Sequence, residues 1–323
     1  MSYRKISEKT GYSISTISKV FSNNYEISDI ARDRIYAAAR ELGVFDKYYK
    51  KQYPQKIVAV ICPELYSRYY AAFAETIHAA LCEKNILTIM SSTGFDSAAE
   101  ERLIEYYASY AKVDGIIILA PHISKIKNYS IPIVAIGKLD GVDSVYVSHR
   151  NAIHDALKLL INGGHQRIAF IGEPLTNIKE RIFCEELDGL MHKSAPELIV
   201  RSRSRFEKAG YAGMETLLSL SVPPTAVIAG YDYIAMGAME CAKAHNFRIP
   251  EDISIIGMDD IDDASYTTPP LASIKTHMKE IAALTIDMIM KKIEHPAFKI
   301  IQRTEVPAEF IVRGSVAARQ TIK

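Results

Sequence analysis

The feature that most constrains this chain is a texture that begins at Ile57, in which short apolar runs of four to six residues alternate with longer amphipathic stretches. The runs are IVAVIC from Ile57, ILTIM from Ile86, GIIILA from Gly115, PIVAI from Pro132, SVYV from Ser144, RIAFI from Arg167, ELIV from Glu197, TAVIA from Thr225 and ISIIG from Ile253. Apolar runs without polar alternation suit strands covered on both faces, which is the environment of a parallel sheet. Helical patterns lie between them, over Tyr69 to Glu83, Ser97 to Tyr110, Ile153 to Ile161, Ala209 to Leu220, Ile234 to His245 and Met278 to Ile293. The alternation predicts an α/β body of doubly wound parallel sheets. Nine strands divide more naturally into two sheets of five or six than into one, so two lobes with a cleft between them are expected. Ligands of such sheets sit beyond the carboxyl ends of strands, here the loops after Cys62, Met90, Ala120, Ile171, Ala229 and Gly257.

The first 56 residues have a different texture. Arg4 to Phe21 reads as two short helices joined by a tight turn: Thr10 and Gly11 end the first, and Ser13 caps the second. Ile17, Val20 and Phe21 form one apolar stripe, which leaves Ser15, Thr16, Ser18, Lys19 and Ser22 facing outward. Short hydroxyls beside a cation let a helix sit deep in a major groove and donate to phosphates and base edges. Ser28 then caps a third helix, about Asp29 to Leu42, stopped by Gly43. Net charge is only +1 for the whole chain. Its distribution is uneven: residues 1 to 56 hold eleven Lys and Arg against six Asp and Glu, leaving 28 against 32 for the remainder. Positive charge therefore sits with the helical pair, as attraction to phosphate requires. Residues 44 to 56, with four lysines and three tyrosines closed by Pro54, read as a linker.

No G-x-S-x-G elbow, phosphate loop, G-x-G-x-x-G fingerprint or H-E-x-x-H pair is present. The acidic run Asp259, Asp260, Asp262 and Asp263 follows a strand directly, which suits a polar strand end better than a metal or acid–base site, since no His or further Glu lies nearby. No metal or cofactor is expected. Cys62, Cys82, Cys184 and Cys241 are widely spaced and read as reduced, mostly buried small hydrophobes. The polar N-terminus and the lack of any ~20-residue apolar span predict a cytoplasmic protein that does not enter a membrane.

The order of parts carries a resemblance. The helical pair T-G-Y-S-I-S-T-I-S-K-V-F, a third helix ending A-A-A-R-E-L-G, a linker and a two-lobed body resemble the LacI/GalR family of transcription regulators over essentially the whole chain. Supporting stretches are VDGIIILAP (Val113 to Pro121), GGHQRIAFIG (Gly163 to Gly172), RIPEDISIIGMDDI (Arg248 to Ile261), TTPPLASI (Thr267 to Ile274) and VRGS (Val312 to Ser315). The resemblance implies a helix-turn-helix headpiece at 1–44, a hinge at 45–56 and a periplasmic-binding-protein-like body at 57–323. The body's N-lobe would be about 57–149 plus 277–305, its C-lobe about 150–276 plus 306–323. It also implies a homodimer on double-stranded operator DNA, controlled by a small effector, a sugar or sugar derivative, and no enzymatic activity.

Carried over residue by residue, Ile14, Ser15 and Lys19 match base-reading positions, while Ser13, Thr16, Ser18 and Asn23 match phosphate or supporting contacts. The effector arginine falls on Arg181, the aspartate on Asp232, and an aromatic cleft residue on Phe206 or Tyr70. Three departures stand out. The linker FDKYYKKQYP lacks the family's minor-groove leucine, for which Tyr53, or second to it Tyr49, is the substitute. Ser148-His149 and Tyr231 stand where the family usually has Asp-Asn and Asn. Arg68, in PELYSRYY, replaces a small polar residue and admits an anionic effector. Against this, a solute-binding protein or a sugar-acting enzyme without a DNA role would leave the basic N-terminal unit unexplained.

Overall fold

The computed structural model describes residues 2–21, 27–48, 55–111, 113–191 and 195–317. It divides into two compact units, Met1–Lys56 and Ile57–Lys323.

The first unit contains α1 (Ser2–Thr10), α2 (Ile14–Phe21), α3 (Asp29–Glu41) and a short α4 (Phe45–Tyr48). Gly11 and Gly43 take left-handed backbone, φ +76° and +66°, at the ends of α1 and α3, where a Cβ would be strained. Ser13 Oγ accepts the Thr16 N–H at 3.0 Å and Ser28 Oγ accepts that of Ala31 at 3.4 Å, so both predicted caps form. Ile6, Ile17, Val20, Phe21, Ile35 and Ala39 fill the centre. The core reaches further than the expected boundary at 44. Phe45 and Tyr48 lie with ring centroids 6.5 and 5.8 Å from that of Phe21, joining Tyr3 and Tyr36 in one aromatic cluster around it.

The second unit has two six-stranded sheets. In chain order its elements are β1 (Ile57–Cys62), α5 (Arg68–Glu83), β2 (Leu87–Ser92), α6 (Ser97–Glu105) with a π-helical turn (Tyr106–Ala111), β3 (Gly115–Leu119), β4 (Ile133–Ile136), β5 (Asp143–Ser148), α7 (Arg150–Asn162), β6 (Ile168–Gly172), α8 (Asn177–Met191), β7 (Ile199–Arg201), α9 (Phe206–Leu218), β8 (Ala226–Ala229), α10 (Asp232–Ala244), β9 (Ser254–Asp259), β10 (Ala272–Lys275), α11 (Met278–Glu294), β11 (Arg303–Pro307) and β12 (Glu309–Ile311). One sheet has the order β11-β5-β4-β3-β1-β2, parallel throughout. The other has the order β12-β10-β9-β8-β6-β7 and is parallel except for β12. The chain passes between the sheets three times, after β5, after β10 and between β11 and β12.

Each sheet is covered on both faces. Phe73, Ile77 and Leu81 of α5 join Ile281, Ile286 and Ile289 of α11 over one side of the first sheet, and the α6 side is sealed by Ile104 and Tyr107. Fully burying a side chain such as Phe73 stabilises by roughly 1.5–3 kcal/mol. In the second lobe α9 and α10 touch through backbone. A Cβ on Gly210 would fall 1.8 Å from the Ile234 carbonyl oxygen, and one on Gly237 would fall 1.9 Å from that of Glu207.

Helix α8 and strands β10, β11 and β12 were not among the elements predicted from periodicity. In α8 a buried Glu180, held by Arg201 at 2.9 Å, interrupts the apolar stripe of Phe183 and Leu187. The edge strand β11 alternates charge with half-buried residues. It is placed by Asp143, whose carboxylate accepts the Gln302 N–H at 2.7 Å and pairs with Lys292 at 2.8 Å. All four cysteines are free, but only Cys62 and Cys241 are buried; Cys82 is exposed.

Candidate functional site

In the N-terminal unit the outer face of α2 presents Ser15, Ser18 and Lys19 to solvent, while Ile17, Val20 and Phe21 face the core. Ile14 is 51% exposed at the start of the helix, which is unusual for an isoleucine and leaves its apolar surface available to a partner. Ser13 and Thr16 bond to each other. The Ser13 hydroxyl caps the helix and lies 2.8 Å from Thr16 Oγ1, so these two shape the helix start. Asn23 and Tyr53 lie outside the described residues, as does Tyr49.

In the second unit the carboxyl ends of both sheets face a cavity of about 690 Å³. Its walls are rich in rings: Tyr70 of α5 comes from one lobe, and Phe206, Tyr231 and Tyr233 come from the other. Tyr70 packs edge-on against Phe95 at 6.1 Å, and Phe206 sits 5.3 Å from Tyr233 and 5.8 Å from Tyr66. Burial, with Asp259 and Glu64 as nearby negative charges, holds the Tyr70 hydroxyl protonated well above its ordinary range. Phe206 has φ +58°, a conformation that a bulky side chain rarely adopts. Its N–H donates to the Tyr231 hydroxyl at 3.0 Å, and that hydroxyl donates in turn to the buried Glu173 carboxylate at 3.1 Å. Tyr231, a departure from the family pattern, thus props the Phe206 backbone.

The two polar residues carried over from the resemblance both line this cavity, but each is paired with protein groups. Arg181 borders the cavity, yet its side chain is 66% exposed and pairs loosely with Glu185 one helical turn on, at 3.5 Å. One turn of α8 faces the other way. Lys179 reaches inward, donating to Asp259 at 2.7 Å and to the Gly230 carbonyl at 3.0 Å. Asp232, 1% exposed at the first position of α10, gives its oxygens to the protein: Oδ2 accepts the Ile261 N–H at 2.8 Å and Oδ1 accepts the Ser273 hydroxyl at 2.6 Å. Burial above all, and the negative charge of Asp259, raise its pKa well above the usual carboxylate range. Asp232 therefore ties the loop after β9 to β10, while Asp259, also on the cavity wall, is the carboxylate that pairs with Lys179. Periodicity carried no signal for Lys179, because α8 was not visible as a helix.

The acidic run is dispersed by pairing. Asp259 meets Lys179, Asp260 meets Arg313 at 2.7 Å, and Asp263 meets Arg68 of the opposite lobe. Among the described residues no three His, Cys, Asp or Glu side chains converge as a metal set. Arg68, which in the sequence admits an anionic effector, pairs its guanidinium with Asp263. His149, where the chain first crosses between sheets, is pushed down to about 3 by burial and then by the Lys179 ammonium, so it is a neutral imidazole in the cleft.

Polar contacts among the described residues also bridge the two lobes. Arg205, just before α9, forms a two-pronged pair with Glu64 after β1, both prongs 2.9 Å long. The Arg68 N–H donates to the Tyr233 hydroxyl at 3.2 Å, and Arg68 pairs with Asp263.

A helical head with an exposed polar reading face, and a two-lobed body closing on an aromatic cleft, define a DNA-reading regulator built on a binding-protein scaffold. Comparison with known proteins agrees. A family model described as periplasmic binding protein-like domain matches residues 157–316. The HTH-type transcriptional repressor CytR of Escherichia coli K12 is 26% identical over 331 residues, covering 98% of this chain and 96% of its own length. A LacI-family transcriptional regulator from Enterococcus faecium, solved with bound ribose, is 26% identical with a TM-score of 0.70, over 82% of this chain and all of that one. The transcriptional regulator CelR in complex with cellobiose matches at a TM-score of 0.70 and 22% identity over 98% and 99% of the two chains, which extends the fold likeness through the head. The chain is thus similar over nearly its whole length to HTH-type transcriptional repressors, and over 82% of it to a LacI-family regulator, and these relatives are regulators rather than enzymes.

Proposed function

We propose that this chain is a cytoplasmic, homodimeric repressor of a carbohydrate-utilisation operon. Each head of the dimer reads one half-site of a near-palindromic operator, and a small uncharged effector, a sugar or sugar derivative, binds between the lobes and changes operator affinity. The observation that carries this reading is the pairing, in one chain, of the exposed Ile14, Ser15, Ser18 and Lys19 face with a ring-walled cavity of about 690 Å³. In the head, Lys19 reaches guanine acceptors from the middle of α2, Ile14 and Ser15 touch base edges, and Ser13, Thr16, Ser18 and Asn23 support phosphate contacts. Tyr53, by the resemblance, supplies the apolar ring that parts a minor-groove base step. In the cleft, Tyr70 and Phe206 stack on a ring face, while the Lys179–Asp259 pair offers one donor and one acceptor at the wall. Arg181 contributes from the rim. Effector and DNA are linked reciprocally through lobe closure, with a typical coupling of ~1–3 kcal/mol, which is ~5- to 150-fold in affinity.

Two titrations test this. A thermal-shift screen of the full chain against sugars, sugar phosphates and nucleobases identifies the effector class, since a ligand bound only by the fold raises apparent stability by mass action. Fluorescence anisotropy with DNA from the neighbouring upstream region, with and without the hit, then measures operator affinity. A ligand that shifts the melt but leaves DNA affinity unchanged, or a chain that binds no DNA specifically, refutes the proposal.

A further inference from the structure

We propose that Glu64 and Arg205 form a latch that biases the two lobes toward closure. The lobes are joined by three crossing segments, 148–150, 275–278 and 307–309, and are otherwise separate sheets, so their closure needs a tie on the far side. Arg205 supplies one. Its guanidinium meets both oxygens of Glu64 at 2.9 Å across the cleft. The plane also lies 4.9 Å from the ring centroid of Phe95, on the Glu64 side, and 4.4 Å from that of Phe206, on its own side. Behind it Glu173 of its own lobe stands 3.9 Å from Nε. One cation is thus gripped by a carboxylate and a ring from each lobe.

The local backbone is built for this aim. Arg205 precedes Phe206, whose positive φ is propped by Tyr231 and Glu173, and that turn directs the arginine over the mouth and not along α9. The pair is also shielded: the Glu64 and Arg205 side chains are 15% and 34% exposed, so their attraction is screened less than that of a surface pair. The Arg68–Asp263 pair and the Arg68 N–H bond to Tyr233 close the same side. A body biased toward closure in this way binds its effector without first spending affinity on closing, and loss of the latch lowers the competent fraction in proportion.

The test needs neither DNA nor effector, so its failure leaves the repressor reading standing and the reverse also holds. The Arg68 amide reports closure: as the first residue of α5 it has no helical acceptor, and its bond to Tyr233 spans the cleft. Hydrogen–deuterium exchange of the unliganded full chain is followed in the 65–70 segment. Arg205→Gln and Glu64→Gln are each expected to speed exchange there by ~5- to 10-fold, the range of a partly shielded ion pair. The double variant Glu64→Gln with Arg205→Gln is expected to exchange no faster than the faster of the two single changes, since both remove the same tie. Exchange in the core strand β3 is the folding control; if it rises in Arg205→Gln, the nearly isosteric Glu64→Gln decides. Unchanged exchange at 65–70 in that variant, or a double variant whose acceleration is the product of the two single ones, overturns the latch.

Discussion

Replacing Lys179 by Met keeps the length of the side chain and removes its charge. In the folded protein that ammonium donates to Asp259 at 2.7 Å and to the Gly230 carbonyl at 3.0 Å. The two paired side chains are 17% and 12% exposed. Breaking a fully buried pair from one side costs about 3–5 kcal/mol, because the remaining charge is stranded out of water. Here water reaches both groups partially, so about 2–3 kcal/mol is expected for Lys179→Met. The cost lies in the stranded carboxylate, and Lys179→Met with Asp259→Asn should therefore recover most of it; Asn tolerates the φ of +100° at that position better than most residues. Arg181→Ala is the matched control: a 66% exposed side chain in a 3.5 Å pair should cost under about 0.5 kcal/mol. Urea unfolding of the four proteins, followed by circular dichroism, gives the differences. A Lys179→Met penalty below about 0.5 kcal/mol, or a double variant no more stable than the single one, would refute the assignment of Lys179 as the inward cation of α8.

Three further outcomes follow from the same geometry. Asp232 has its pKa raised above an unfolded value of about 3.9, so the folded chain keeps a proton that the unfolded chain releases. Its contribution is complete below about pH 4 and is lost as pH rises toward the folded pKa; Asp232→Asn should therefore gain on wild type steadily from pH 4 upward in thermal melts, and a constant difference would contradict the raised pKa. Lys19→Ala should weaken specific operator binding by about 1–3 kcal/mol and relax base preference at one position while the melt is unchanged, whereas a uniform loss across DNA sequences would make Lys19 a phosphate contact. Gly237→Ala should cost about 1–3 kcal/mol or prevent folding, since its Cβ meets the Glu207 carbonyl at 1.9 Å, and a neutral melt would show that α9 and α10 can separate.

How much of this was legible in the sequence depends on the range of the cause. Strands such as Ile57–Cys62 and Gly115–Leu119 are buried on both faces, so their own composition announces them. Caps at Ser13 and Ser28 act over three residues and were equally readable. Helix α8 was not, because Glu180 occupies a core position and becomes tolerable there only through Arg201, which lies on another element. Phe45 and Tyr48 looked like linker because their partners, Phe21 and Tyr36, precede them by more than a turn of any local pattern.

The cleft carries the same lesson to its limit. Arg181 and Lys179 are two residues apart, which on a helix is nearly opposite faces, so a shift of two positions in the correspondence with relatives exchanges an inward cation for a rim one. Motif matching alone has no means to choose between them. What chooses is Asp259, eighty residues later, together with the Gly230 carbonyl, which give an ammonium on the Lys179 face somewhere to go and offer the Arg181 face nothing. Likewise Arg205 acquires its role from Glu64, 141 residues earlier in the chain, and from a backbone turn at Phe206 that Tyr231 makes affordable. Tyr231 and Arg68, which depart from the family pattern, are here partners of Glu173 and Asp263. A substitution that departs from relatives at a cleft is therefore informative only once its partner is known, and in this protein those partners lie around the cleft itself.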